Sequence, residues 1–290
     1  MANFDSDWLK RFQRLRLSQR PAGSPVLLRQ PRGPVYSRGT EVVGLRDYVP
    51  GDDYRSIDWR LCARRDELMS KKFCGEPDPR VYLLVDCSQS MSLGHPSKFA
   101  AAVEATALLG GLALYGQTRV GLTAFSGRPA TEFAPRYGKH HFGSLLRFLE
   151  HLTLDDAPSD LARVAKRFGA RAQRPGPVVV ISDLLDAAGW SRAIDALRRR
   201  GYTPRIVHIY AQEEAEPQLL GDVELFDVER HVGLETTVTQ RTLRRYRATF
   251  AAFLASVESY CARWTIPYVR VRAETETLAD ELAACSEITR

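Results

Sequence analysis

Three oxygen-bearing side chains sit at alternate positions just after an apolar run in this 290-residue chain. VYLLVD (81–86) ends at Asp86 and continues Cys87-Ser88-Gln89-Ser90, so Asp86, Ser88 and Ser90 spell D-x-S-x-S. A second apolar run, PVVVISD (177–183), also ends on an acid, Asp183. As strands of one open parallel sheet, both tips would face the crevice where such sheets bind ligands. Two carboxylates with neutral hydroxyls suit a hard divalent cation, Mg²⁺ first, with Mn²⁺ or Ca²⁺ as alternates. So few negative charges leave the cation electrophilic, with a position open to a partner's carboxylate. The plain alternative is that Asp86 and Ser88 merely cap the next helix.

Those residues need a scaffold, and the apolar pattern supplies one. Continuous β-branched runs predict buried strands over 81–86, 119–125, 177–183 and 204–210. Helices are expected over Lys98 to Tyr115, 144–152, 160–168 with Ser159 or Asp160 as its cap, and 190–200 closed by Gly201. Near alternation over 223–229 predicts a strand at a sheet edge. A long helix (242–264), a strand (266–272) and a closing helix (277–285) complete the chain. Strand and helix alternate from about residue 80, which predicts an α/β, doubly wound, mostly parallel sheet over 80–290. Residues 1–79 are expected to form an N-terminal turn- and strand-rich extension. Within it, 8–17 reads as an amphipathic helix docked on the body of the protein, with Trp8, Leu9, Phe12 and Leu15 on one side.

Composition bounds the remaining classes. Hydrophobic residues are 44% and charged residues 26%, ordinary globular usage. A net charge of +6 is mildly basic and does not by itself select a class of partner. Five scattered cysteines without a C-x-x-C pair point to reduced thiols and a cytoplasmic protein, not a zinc ribbon or a disulfide framework. The first residues have acids before bases and no apolar core, unlike a signal peptide. No run of about 18 apolar residues predicts a membrane span. GLALYGQT (111–118) has phosphate-loop spacing but Gln117 where lysine is required, at the end of a helix. His140-His141 are adjacent, a poor geometry for sharing one metal.

DCSQSM, the Lys98-initiated helix and the later ISD together resemble the von Willebrand factor A (vWA) fold and its metal-ion-dependent adhesion site (MIDAS). That resemblance implies a metal held by Asp86, Ser88, Ser90, Ser159 and Asp183. Ser159 stands where the family has threonine, and Leu184-Leu185 replaces its usual glycine-containing turn. The segment LRDYVPGDDYRSIDWRLCARRDELMSKKFCGE (45–76) resembles the signature of the bacterial DUF58 family. The matching residues are Arg46, Tyr48, Gly51, Asp52, Asp53, Arg55, Ile57, Asp58, Trp59, Arg60, Ala63, Arg64 and Glu76. Read physically, this is a charge lattice in which arginines can pair with Asp52, Asp53, Asp58 or Glu76, with Trp59 as an anchor on the sheet. A structural network is the expectation, and a partner-binding surface its main rival.

The expected function is a metal-ion-dependent protein-protein interaction module, not an enzyme. The resemblance implies a protein partner, a MoxR-type AAA+ ATPase or its client, in assembly or maturation of other proteins; no small-molecule substrate is expected. One alternative is a metal-dependent hydrolase of phosphate or ester substrates, which would need a general base that the sequence does not place. Another is nucleic-acid binding through Lys10 to Arg20 and Arg198 to Arg200, against which the mixed-sign signature argues.

Overall fold

The computed structural model describes residues 4–18, 28, 41–48, 57–65, 67–74, 79–126, 131–157, 159–170, 174–186, 189–227, 232–275 and 278–284. The chain forms two compact units, Pro31–Pro79 and a larger one of Met1–Gln30 with Arg80–Arg290. In the smaller unit, strands β1 (Glu41–Asp47) and β2 (Met69–Cys74) pair antiparallel. Between them lies the short helix α2 (Trp59–Arg65), whose start is capped by Asp58, with Oδ1 accepting from the Leu61 N–H at 3.2 Å.

The larger unit is built on six strands: β3 (Arg80–Asp86), β4 (Arg119–Phe125), β5 (Thr131–Arg136), β6 (Pro177–Ser182), β7 (Thr203–Tyr210) and β10 (Tyr268–Arg272). Their order is β10-β7-β6-β3-β4-β5, parallel except for β5, which runs antiparallel to β4. The continuous apolar runs are explained by cover on both faces. Val81, Leu83 and Val85 of β3 pack in one core with α3 (Lys98–Tyr115) and α4 (Phe142–Glu150). Tyr82 and Leu84 pack in another with α5 (Leu161–Ala170), α6 (Trp190–Arg199) and residues of α8 (Gln240–Arg263). The chain builds β3, β4 and β5 outward, then returns to lay β6 on the other side of β3. The order therefore reverses between β3 and β6, the place where an open sheet leaves a crevice at its carboxyl edge.

The remaining elements are α7 (Gln212–Ala215), α9 (Leu278–Ala284), and strands β8 (Gly221–Asp227) and β9 (Val232–Val238). The run over 223–229 is not an edge of the main sheet. It falls largely in β8, which pairs antiparallel with β9 in a separate two-stranded sheet. Alternation marks a strand with two unlike faces, and a projecting hairpin satisfies that as well as a sheet edge does. Strand β5 has no sequence signal, because TEFAPR is largely exposed and carries Pro135, a residue tolerated on edges.

Helix α1 (Ser6–Ser18) belongs to the α/β unit, not to the segment that follows it. Its Trp8 and Phe12 are buried, with the Phe12 and Phe142 rings 4.7 Å apart. Trp8 Nε1 donates to Glu104 at 3.1 Å. Gly111 of α3 permits this closeness: a Cβ there would lie 2.6 Å from Phe142 and 2.8 Å from Phe12. Helix α3 is long and apolar enough to span a membrane by length and composition, but most of it is buried inside the fold. Truncating Phe12→Ala is expected to lower unfolding free energy by about 3–5 kcal/mol, read as a shifted urea midpoint. An unchanged midpoint would mean that α1 is not part of this core.

Candidate functional site

Adjacent strands β3 and β6 end at the reversal of strand order, and their tips carry Asp86 and the Ser182-Asp183 pair. Asp86 has no solvent exposure, and hydroxyls surround it. Its Oδ1 accepts from the Ser88 hydroxyl at 2.6 Å and the Ser88 N–H at 3.0 Å. Its Oδ2 accepts from Ser182 at 2.6 Å and from Ser159 at 3.1 Å. Ser90 closes the ring, 3.1 Å from Ser88 Oγ. All of these donors are neutral. Among the described residues, no ammonium or guanidinium bonds Asp86.

Ser159 reaches the ring because its loop is fastened to β3. Asp155 N–H donates to the Cys87 carbonyl at 2.8 Å, and Ser126 donates to Asp155 Oδ2 at 2.6 Å. The choice of cap for α5 is thereby resolved. Asp160 Oδ1 accepts from the Arg163 N–H at 2.8 Å, which leaves the Ser159 hydroxyl for Asp86.

Asp183 is buried beside this ring but already has a cation. Lys98 Nζ, fully buried at the start of α3, donates to Asp183 Oδ2 at 2.7 Å and to Glu214 of α7. Asp183 Oδ1 accepts from the Leu185 N–H at 3.1 Å. Burial alone would lower the lysine's pKa, but Asp183 and Glu214 outweigh it and the net shift is upward. His208, also buried, contacts the Asp183 backbone and Tyr268, and burial pushes it down to about 4, so it is neutral. Removing one partner of so buried a pair would strand a charge in a low-dielectric interior. The turn after Asp183 holds buried Leu184 at φ 58°, a left-handed conformation that costs a bulky residue about 1–2 kcal/mol. Its N–H is tied to Ser182 Oγ at 2.9 Å, which holds the turn.

The electrostatic consequence falls on Asp86. Three buried carboxylates, Asp86, Asp183 and Glu214, share one ammonium. Burial first, and then the charge of Asp183, raise the Asp86 pKa to about 6 against the lowering effect of the Ser182 and Ser88 hydrogen bonds. The adjacent Cys87 thiol is pushed up to about 12 by burial and by Asp86 and Asp155, which makes it unreactive.

The expected metal residues are therefore brought together with one qualification. Asp86, Ser88, Ser90 and Ser159 form one oxygen ring, and Asp183 lies beside it paired to Lys98. Sequence reasoning missed Ser182, Lys98 and Glu214. The signals were a hydroxyl next to the strand-tip acid and a lysine opening a helix that is otherwise mostly apolar.

Of the charge lattice, Gly51, Asp52, Asp53, Arg55 and Glu76 lie outside the described residues. Arg46 falls in β1, the Tyr48 N–H donates to the Leu68 carbonyl at 2.8 Å, and Asp58 caps α2. Arg60 and Arg64 are exposed. Trp59, expected as an anchor on the sheet, opens α2 and is 63% exposed.

A mostly parallel α/β sheet with a buried ring of oxygen-bearing side chains at its reversal point defines the class of fold. Residues 44–256 match the family described as "Protein of unknown function DUF58", and the chain belongs to that family. It is 28% identical over 248 residues to an uncharacterised protein of Mycobacterium bovis, covering 83% of this chain and 77% of that one. It is 29% identical over 154 residues to the uncharacterised protein YeaD of Bacillus subtilis, covering 52% of this chain and 37% of that one. Among solved structures it is similar to the conserved hypothetical protein BatB from Bacteroides thetaiotaomicron, at 16% identity and a TM-score of 0.45, covering 72% of this chain and 99% of that one.

The raised Asp86 pKa has a measurable sign. The folded carboxyl holds its proton up to about pH 6, whereas the unfolded one releases it near 3.8. Ionised Asp86 thus costs stability once the pH passes through that window. In chelator, wild type is expected to lose about 2–3 kcal/mol relative to Asp86→Asn between about pH 4 and about pH 7. Parallel pH-stability curves for the two proteins would contradict the burial of an uncompensated charge.

Proposed function

We propose that this protein is a metal-ion-dependent interaction module of the vWA type, binding a protein partner through a divalent cation held at the Asp86 ring. The observation that carries the reading is a fully buried carboxylate ringed by hydroxyls and lacking a cation of its own. The donor set fits such an ion. Every available ligand is oxygen, which selects hard cations such as Mg²⁺ or Mn²⁺. With Lys98 at +1 and Asp86, Asp183 and Glu214 ionised, the buried cluster carries two surplus negative charges, and a divalent cation would neutralise them.

In this reading Asp86 supplies the charged ligand, and Ser88, Ser90 and Ser159 supply hydroxyl oxygens. Ser182 fixes the Asp86 carboxylate, and Lys98 holds Asp183 in place beside the ring. Ser90 and Ser159, at 7% and 8% exposure, are the members of the ring nearest solvent and set the direction from which a partner approaches. The bound cation supplies an electrophilic position that takes a carboxylate from that partner. No residue of the ring is a free base, so the reading assigns binding and not turnover. The proposed partner is a MoxR-type AAA+ ATPase or its client, in cytoplasmic assembly or maturation of other proteins.

Calorimetric titration of Mg²⁺ and Mn²⁺ into chelator-stripped protein tests the site. Wild type should bind, Asp86→Ala should not, and Ser159→Ala should bind about tenfold more weakly or worse. Equal binding by wild type and Asp86→Ala would refute the assignment. For the partner, co-elution with a purified MoxR-type ATPase should require Mg²⁺ and vanish in EDTA. Co-elution that ignores EDTA would separate the partnership from the metal.

A further inference from the structure

Helices α5 and α6 each lead into a strand of the parallel pair β6–β7, and they pack side by side over one face of the sheet. Each divides its side chains sharply. Leu161, Val164, Ala165 and Phe168 of α5 are buried, whereas Arg163, Lys166 and Arg167 are exposed. Ala193, Ile194 and Leu197 of α6 are buried, whereas Arg192, Arg199 and the adjoining Arg200 are exposed. The apolar stripes hold both helices on the sheet. The outer stripes make two cationic ridges roughly 8–10 Å apart.

Counterions are few on this face. Asp160 is taken by Arg163 at 3.3 Å, and Asp195 by Arg198 at 3.3 Å and by the Tyr260 hydroxyl at 2.7 Å. Asp186 accepts from the Leu161 N–H at 3.2 Å. Among the described residues, no carboxylate pairs with Lys166, Arg167, Arg192, Arg199 or Arg200. The adjoining positions outside the described residues, 158, 171–173 and 187–188, include no acid in the sequence. The face also lacks an apolar centre. Among the described residues neither helix exposes a large apolar side chain, and Trp264, 42% exposed, has its ring covered by the Arg198 guanidinium at 3.9 Å. On α1, by contrast, Lys10 pairs with Asp7 at 2.9 Å and Arg16 lies over Tyr115 at 4.5 Å.

We propose that the α5–α6 face binds the phosphate backbone of duplex nucleic acid without reading its sequence. Arginine supplies four of these five cations, and its planar fork takes two phosphate oxygens at once. A protein interface needs an apolar centre that this face lacks, whereas a backbone contact needs cations alone. A helix that lies on a membrane carries apolar side chains to insert, and these two bury theirs against the sheet. The inference goes beyond the metal reading. It uses other residues and a polyanionic partner, so either can fail without the other.

The probe is a fluorescein-labelled DNA duplex of arbitrary sequence, titrated with the full chain in EDTA and followed by anisotropy. Contacts from five cations predict a plot of log affinity against log salt with a slope of about −4 to −5. Lys166→Glu/Arg167→Glu and Arg199→Glu/Arg200→Glu should each bind about tenfold more weakly or worse, with a shallower slope and unchanged circular dichroism. Arg241→Glu/Arg244→Glu makes the same charge change on α8 and should bind as wild type does. All the substituted positions are exposed, so folding is preserved. Undiminished binding by either face variant would overturn the proposal. So would an equal loss in the α8 variant, since binding would then follow net charge alone. Absent or salt-insensitive binding by wild type would overturn it too, as would tighter binding to phosphatidylserine vesicles or to a polyglutamate peptide than to the duplex.

Discussion

A carboxylate sealed from water must be met by hydrogen-bond donors, by a cation, or by a proton. Asp86 is such a carboxylate, and the architecture around it exists to hold it. Strand β3 is covered on both faces, which makes its tip both buried and rigid. Strand β6, its neighbour, delivers Ser182 at 2.6 Å. The 155–159 loop is pinned to Cys87 and delivers Ser159. Three separate parts of the chain converge on one charge, and their donors are all neutral. Hydroxyls stabilise the anion without cancelling its charge.

Lys98 explains how a second acid can sit beside the first. Without an ammonium, Asp86, Asp183 and Glu214 would crowd three charges into a dry interior. With it, Asp183 and Glu214 share one counterion, and Asp86 is left with neutral donors alone. The same lysine joins the start of α3, the end of β6 and α7 through two carboxylates.

Much of this was legible in the sequence, for a physical reason. Strands buried on both faces are written as uninterrupted apolar runs, so β3, β4, β6 and β7 stood out, and with them the acids at two of their tips. The D-x-S-x-S spacing then named Asp86, Ser88 and Ser90. Ser159 came only through family resemblance, because nothing local distinguishes a hydroxyl that bonds a distant carboxylate from a helix cap; Asp160 is the cap. Long-range pairing was not legible. The Lys98 partners lie 85 and 116 residues away, and no periodicity encodes such a contact. Edge and hairpin strands were read least well. β5 and β9 expose most of their described residues and so lack the apolar signal that burial imposes.

The most direct measurement is an anomalous difference map from crystals grown or soaked in Mn²⁺. One strong peak is expected at the carboxyl edge of the sheet, bonded to Asp86 and within ligand distance of the Ser88 and Ser90 hydroxyls. A ring with no peak at saturating Mn²⁺, or a peak only elsewhere on the chain, would contradict the metal assignment. Asp86 would then be a buried structural acid held by its hydroxyls alone.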